Sequence, residues 1–193
     1  MEIPVYELMI RDDNSEVDFI SLVDMPATER DFMAFNNKQV YKIENEERRI
    51  ISGPLMLADK LIFRTNDEIG NHYVKFSKDT IQKIAIKYAK RGYQKNVNVM
   101  HDEQLKLEGV VLFESFITDA ERGILPMKGY EDACDGSWFG SMYVENDEAW
   151  QAVKENKLKG FSVEGFFDYD KPKMTAEMIL QKVISLINLP ITD

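Results

Sequence analysis

The chain has 193 residues, 44% hydrophobic and 11% aromatic, which is enough length and apolar content for one substantial core. Lys and Arg number 24 against 34 Asp and Glu, and the net charge of -10 speaks against a nucleic-acid backbone or an anionic membrane surface as partner. The single cysteine, Cys134, excludes an internal disulfide and a cysteine-based zinc or iron–sulfur site, and it suits reducing surroundings. No stretch of 18 apolar residues exists and no basic segment leads into a long apolar run, so neither a spanning helix nor a signal peptide is expected.

Residues 3–10 and 17–23 read as strands with the turn-forming DDNSE between them, and Pro26 stops the second. The polar segment 35–49 reads as a loop or short edge hairpin. Residues 50–64 are apolar and β-branched, broken by Gly53 and Pro54, and NDEIGNHY reads as a turn carrying His72. The period then changes. Ile81, Ile84, Ala85, Tyr88 and Ala89 share a helical face, with Ser77 as N-cap and Gly92 as stop. NVNVMH alternates and ends at His101. Residues 107–119 and 137–145 are strand candidates on either side of a Gly- and acid-rich stretch. Asn146 or Asp147 caps a second helix that has Trp150 and Val153 on one face and Gly160 at its end. Residues 160–170 form a strand rich in aromatics, and a C-terminal helix begins near Pro172.

Strands outnumber helices and do not alternate regularly with them, which disfavours a doubly wound parallel sheet. The expected class is α+β, a mainly antiparallel barrel flanked by helices. Residues 1–170 would form the barrel domain, and 171–193 a C-terminal helix that serves dimerisation or begins an extension.

No phosphate-cradling glycine loop and no HExxH zinc motif occurs. The carboxylates lie mostly among Lys and Arg, as on solvated faces, and DDNSE and NDE do not match a calcium loop. No cofactor or metal is expected. Only two histidines exist, His72 and His101, so an imidazole base must be one of them. His101 ends a hydrophobic strand and precedes Asp102 and Glu103. Ser162 opens an apolar strand between Gly160 and Gly165, which permit close backbone approach. Each residue by itself also reads as an ordinary surface or strand residue. Together they can do chemistry, because a serine hydroxyl becomes a nucleophile when an imidazole takes its proton. Glu164 lies two residues beyond Ser162, on the same strand face and roughly 7 Å away, so one imidazole fits between them. Asp18, Asp59 and Glu114 are the other acids that could orient it.

With VNVMHDE and LKGFSVEG both in view, the sequence resembles the prohead (head-maturation) serine proteases encoded in the head-gene clusters of tailed phages and prophages. LEGVVLFESFIT, SWFGSMYVENDEAWQAVKENKLKGFSVEG and FISLVDMPATERDF carry further resemblance. In that family an S-L-V-x-x-P-A segment follows the catalytic serine, whereas here it precedes the histidine, which points to a circularly permuted order of the same barrel. The resemblance implies a fold related to herpesvirus assemblin, with His101 as base, Ser162 as nucleophile and an acid as third member. Glu164 is the choice for that acid, since Phe19 stands where the S-L-V segment would carry one. It further implies a serine endopeptidase acting on scaffolding protein, on the major capsid protein and on itself, inside the procapsid in the host cytoplasm. A homodimer is the expected assembly. The competing expectations are a catalytically inactive procapsid component that binds scaffold or capsid protein, and an unrelated metal-dependent carboxylate enzyme.

Overall fold

A computed structural model describes residues 3–12, 14–25 and 48–170. The segments read as the 35–49 loop (up to residue 47) and the C-terminal helix 171–193 lie outside the described residues.

The chain is α+β, with many strands and few helices. Strand β1 (Val5–Met9) and strand β2 (Val17–Val23) come first. Strand β3 (Ile50–Met56) follows, then β4 (Ile62–Asn66) and β5 (Gly70–Lys75). Helix α1 covers Lys78–Arg91. Strands β6 (Val97–Val99), β7 (Asp102–Lys106), β8 (Val110–Ile117) and β9 (Trp138–Val144) come next. Helix α2 covers Asp147–Lys154, and strands β10 (Gly160–Gly165) and β11 (Asp168–Tyr169) end the described chain.

The ladders connect into three sheets, in the orders β11-β1-β5-β4, β10-β2-β6-β7 and β3-β9-β8, and none closes on itself among the described residues. Most pairs are antiparallel, while β1–β5 and β2–β6 are parallel. A parallel pair needs a crossover, and the chain makes that of β2–β6 through β3, β4, β5 and α1. This brings residues far apart in sequence onto neighbouring strands.

Local chemistry explains the elements. Helix α1 starts where Ser77 Oγ accepts from Thr80 N–H, and it ends where Gly92 takes a left-handed φ of 74°. Its buried face is Thr80, Ile81, Ile84 and Tyr88. The Tyr88 ring meets Trp138 edge-on, and its hydroxyl donates to the Tyr93 carbonyl at 2.6 Å. Asn146 caps α2 by accepting from Ala149 N–H at 2.9 Å. That helix ends at Lys154, and Gly160 instead opens β10. The main core joins Ile20 and Leu22 of β2, Val97 of β6, Ile81 and Ile84 of α1 and Trp138 and Met142 of β9.

Two further sequence expectations are corrected. Gly53 and Pro54 do not break β3: they lie inside it, opposite Gly140 and Phe139, and the register shifts just after Pro54. The proline is tolerated because β3 ends its sheet and a bulge follows. His72 is not in a turn. It lies in β5 opposite Arg64, after a hairpin whose three-residue loop ends at Gly70 with φ 74°.

Candidate active site

Three adjacent strands assemble the site. Strand β2 sits between β10 on one side and β6 on the other. Ser21 lies opposite Ser162 in the first ladder and opposite Asn98 in the second. Directly paired residues share a sheet face, so Ser162, Ser21 and Asn98 form a row across the sheet. Glu164 pairs with Phe19 and lies on the same face as Ser162, two residues along β10. The backbone of this row is fixed from both sides. Ile20 N–H donates to Asn96 O and Met100 N–H donates to Leu22 O, so Ser21 turns its own backbone groups toward Ser162.

His101 enters from the end of β6. Val99 pairs with Asp102, which makes Met100–His101 a two-residue hairpin loop. Both residues have positive φ, 55° and 60°, the signature of a type I′ turn. Such turns favour Asn-Gly, and this loop holds two bulky residues in left-handed conformations, a strain of the kind found at functional sites.

His101 Nδ1 lies 3.1 Å from Ser21 Oγ and 3.6 Å from Glu164 Oε1. Glu164 Oε2 accepts from Asn98 Nδ2 at 2.6 Å and lies 3.3 Å from Ser21 Oγ. Ser21 Oγ also makes a short hydrogen bond to Asn98 Oδ1. A serine has one proton to give, and a carboxylate can only accept. With the Ser21 proton donated to Asn98 or Glu164, both groups facing Nδ1 are acceptors, so Nδ1 carries the imidazole proton. Nε2 is then the lone-pair nitrogen, the one able to take a proton.

His101, Ser162 and Glu164 line one cavity of about 540 Å³, whose remaining wall is mostly apolar. Ser162 is nearly buried, while the imidazole side chain is 43% exposed and the Glu164 side chain 26%. The hydroxyl beside the imidazole is that of Ser21, while Ser162 shares the cavity wall with it; a serine on a rigid strand, a more exposed imidazole and a carboxylate tied down by an amide are groups that acyl transfer can use.

The other acids stand elsewhere. Asp59 pairs with Lys75, and Glu114 accepts from Ser141 Oγ at 2.6 Å in the β3-β9-β8 sheet. Asp18 lies on the opposite face of β2 from Ser21; burial, with the Asp18 charge adding to it, holds the Tyr88 hydroxyl above its ordinary titration range. His72 is fully buried against Tyr6 and Tyr169 with Nδ1 2.9 Å from Gly70 O, and it is not part of the cavity wall. The sequence reading missed Ser21 and Asn98 as site residues. Both lay in segments already noticed, S-L-V and NVNVMH, but only the register of the ladders makes them neighbours. Among the described residues, no group of three His, Cys, Asp or Glu side chains is placed to hold a metal ion, and no helix is long and apolar enough to cross a membrane.

Residues 37–170 match the family described as putative phage serine protease XkdF. The chain belongs to that family. His101, Ser162 and Glu164 all fall within the matched XkdF-family residues, while Ser21 and the rest of β2 precede them. No curated protein and no solved structure matches the chain.

Proposed function

We propose that the chain is a serine endopeptidase of phage capsid maturation, with Ser162 as nucleophile, His101 as general base and Glu164 as the acid that orients the imidazole. The observation that carries this reading is Glu164 facing His101 Nδ1 within the one cavity that Ser162 also lines. His101 Nε2 takes the Ser162 proton as Oγ attacks the peptide carbonyl carbon. The tetrahedral intermediate collapses, the imidazolium returns the proton to the leaving amine, and an acyl-enzyme remains. Water, deprotonated by the same nitrogen, then releases the acyl group. Ser21 is a positioning residue: it is fully buried, outside the cavity wall, and bonded to the nitrogen that does not collect the proton.

The position of β2 supports a permuted prohead-protease order, because the S-L-V strand lies between the serine strand and the histidine strand although it precedes both in the chain. Its Phe19 faces Glu164 across the ladder, so an acid on β10 can occupy the neighbourhood that an acid on β2 would otherwise fill. The substrates in this reading are scaffolding protein and major capsid protein, with self-cleavage, inside the procapsid within the host cytoplasm, and the enzyme acts as a homodimer.

The test is labelling with a serine-reactive fluorophosphonate, together with cleavage of co-expressed scaffold. Wild-type protein is expected to react with both and Ser21→Ala to be labelled still. Ser162→Ala and His101→Ala should lose both activities with their folding intact. Labelling that survives Ser162→Ala would sink the assignment, and a wild-type protein that binds scaffold without cleaving it would favour the inactive procapsid component.

A further inference from the structure

The cavity beside Ser162 contains one lysine or arginine among its described lining residues, Arg64. Arg64 lies on β4 two residues beyond Ile62, so both share the face turned to the cavity. Around it the wall is apolar, with Leu8, Leu55, Val74 and Phe76 from three other parts of the fold. The guanidinium donates through Nη1 to the carbonyl of its own neighbour, Phe63, at 2.9 Å, and it forms no ion pair among the described residues. Arg11, Arg49, Arg91 and Arg122 each pair with a carboxylate. Arg48 and several lysines likewise lack a carboxylate partner among the described residues, but of the described cations Arg64 alone lines this cavity, so a ligand placed there would meet its charge.

We propose that Arg64 receives an Asp or Glu side chain of the substrate, and that the cleaved segment pairs this acidic residue with a bulky apolar residue that fills the cavity. The inference rests on the peptidase reading of the same site. The planar fork of a guanidinium meets a carboxylate with two parallel hydrogen bonds. An apolar wall around the fork strengthens that match and penalises a lysine or arginine brought to the same place, which is how a site discriminates between peptides. An extended peptide advances about 3.3 Å per residue, so the acidic and apolar side chains belong within a few residues of each other and of the scissile bond.

The experiment uses the full chain and a library of internally quenched peptides randomised at four positions on each side of the centre, with products read by mass spectrometry. Fluorophosphonate labelling of the wild-type protein runs alongside. Wild type is expected to prefer Asp or Glu at one position over Lys or Arg by about tenfold, the size of one charge-assisted hydrogen bond, with Leu, Met or Phe enriched nearby. Arg64→Glu is expected to invert the charge preference at that position alone. A wild-type profile indifferent to charge, or an Arg64→Glu profile that keeps its acidic preference, overturns the inference while labelling and cleavage leave the peptidase reading standing. A wild-type protein that neither labels nor cleaves overturns both.

Discussion

Asn98 is the residue on which the charge arrangement of the site turns. Its amide donates to Glu164 Oε2 while its carbonyl oxygen receives the Ser21 proton, so one side chain fixes both groups that face His101 Nδ1. Exchanging the amide for a carboxylate tests this. In Asn98→Asp two carboxylates would lie within hydrogen-bond distance, and one of them must take up a proton. Glu164 would then lose its hold on the imidazole tautomer. The rate of Ser162 acylation is expected to fall by about a hundredfold, the low end of what a positioned general base contributes. Stopped-flow labelling measures it, and a rate within twofold of wild type would remove Asn98 from the positioning network. His101, Ser162 and Glu164 were singled out from local patterns, VNVMHDE and FSVEG, and the structure sets all three along one cavity. Ser21 and Asn98 were not legible in the sequence, because a cross-strand neighbour leaves no trace at fixed spacing along the chain.

At the scale of elements, the hairpin joining β6 to β7 carries His101 on a turn built of residues that resist its geometry. Left-handed backbone costs an L-residue with a side chain about 1–2 kcal/mol. Replacing His101 by glycine relieves that cost and removes an imidazole whose side chain is 43% exposed, so His101→Gly is expected to be more stable by about 1 kcal/mol and inactive. Urea denaturation is the measurement, and a midpoint below that of wild type would show that the turn is not strained. Turn chemistry also marks where sequence reading succeeds. Ser77 and Gly92 bound α1 as expected, since caps are local. Gly53 and Pro54 misled because the partners that tolerate them, Gly140 and Phe139, lie more than 80 residues away. The polar run NDEIGNHY concealed a hairpin for a related reason. Its loop is only residues 67–69, and His72 beyond it is buried by Tyr6 of β1 and Tyr169 of β11, far from it in sequence.

For the whole molecule, the site depends on how closely β10 can approach β2. The register shifts between Glu164 and Gly165, and a Cβ at residue 165 would strike the Glu16 carbonyl oxygen and lie 2.8 Å from Val17 Cα. Gly165 is therefore where the strand bearing Ser162 and Glu164 comes to rest against the start of β2. The strand content and the α+β class could be read from periodicity. The division into three sheets could not, because it is decided by non-local pairing. Such pairing also governs kinetics, since loop-closure entropy must be met before distant contacts form. Refolding from urea is expected to recover fluorophosphonate reactivity at the same rate as the fluorescence of buried Trp138 and Trp150. Reactivity that returned earlier would mean the three central strands associate before the rest.

The row Ser162–Ser21–Asn98 has a meaning for the cell that makes this chain. Its middle member is made first of the three, Asn98 follows some 80 residues later, and Ser162 comes last. Before β10 is synthesised, β2 and β6 can already pair, and a nascent chain of that length has His101 without Ser162. In the peptidase reading proposed above, a chain that has not yet reached β10 carries no nucleophile, so the order of synthesis itself withholds reactivity.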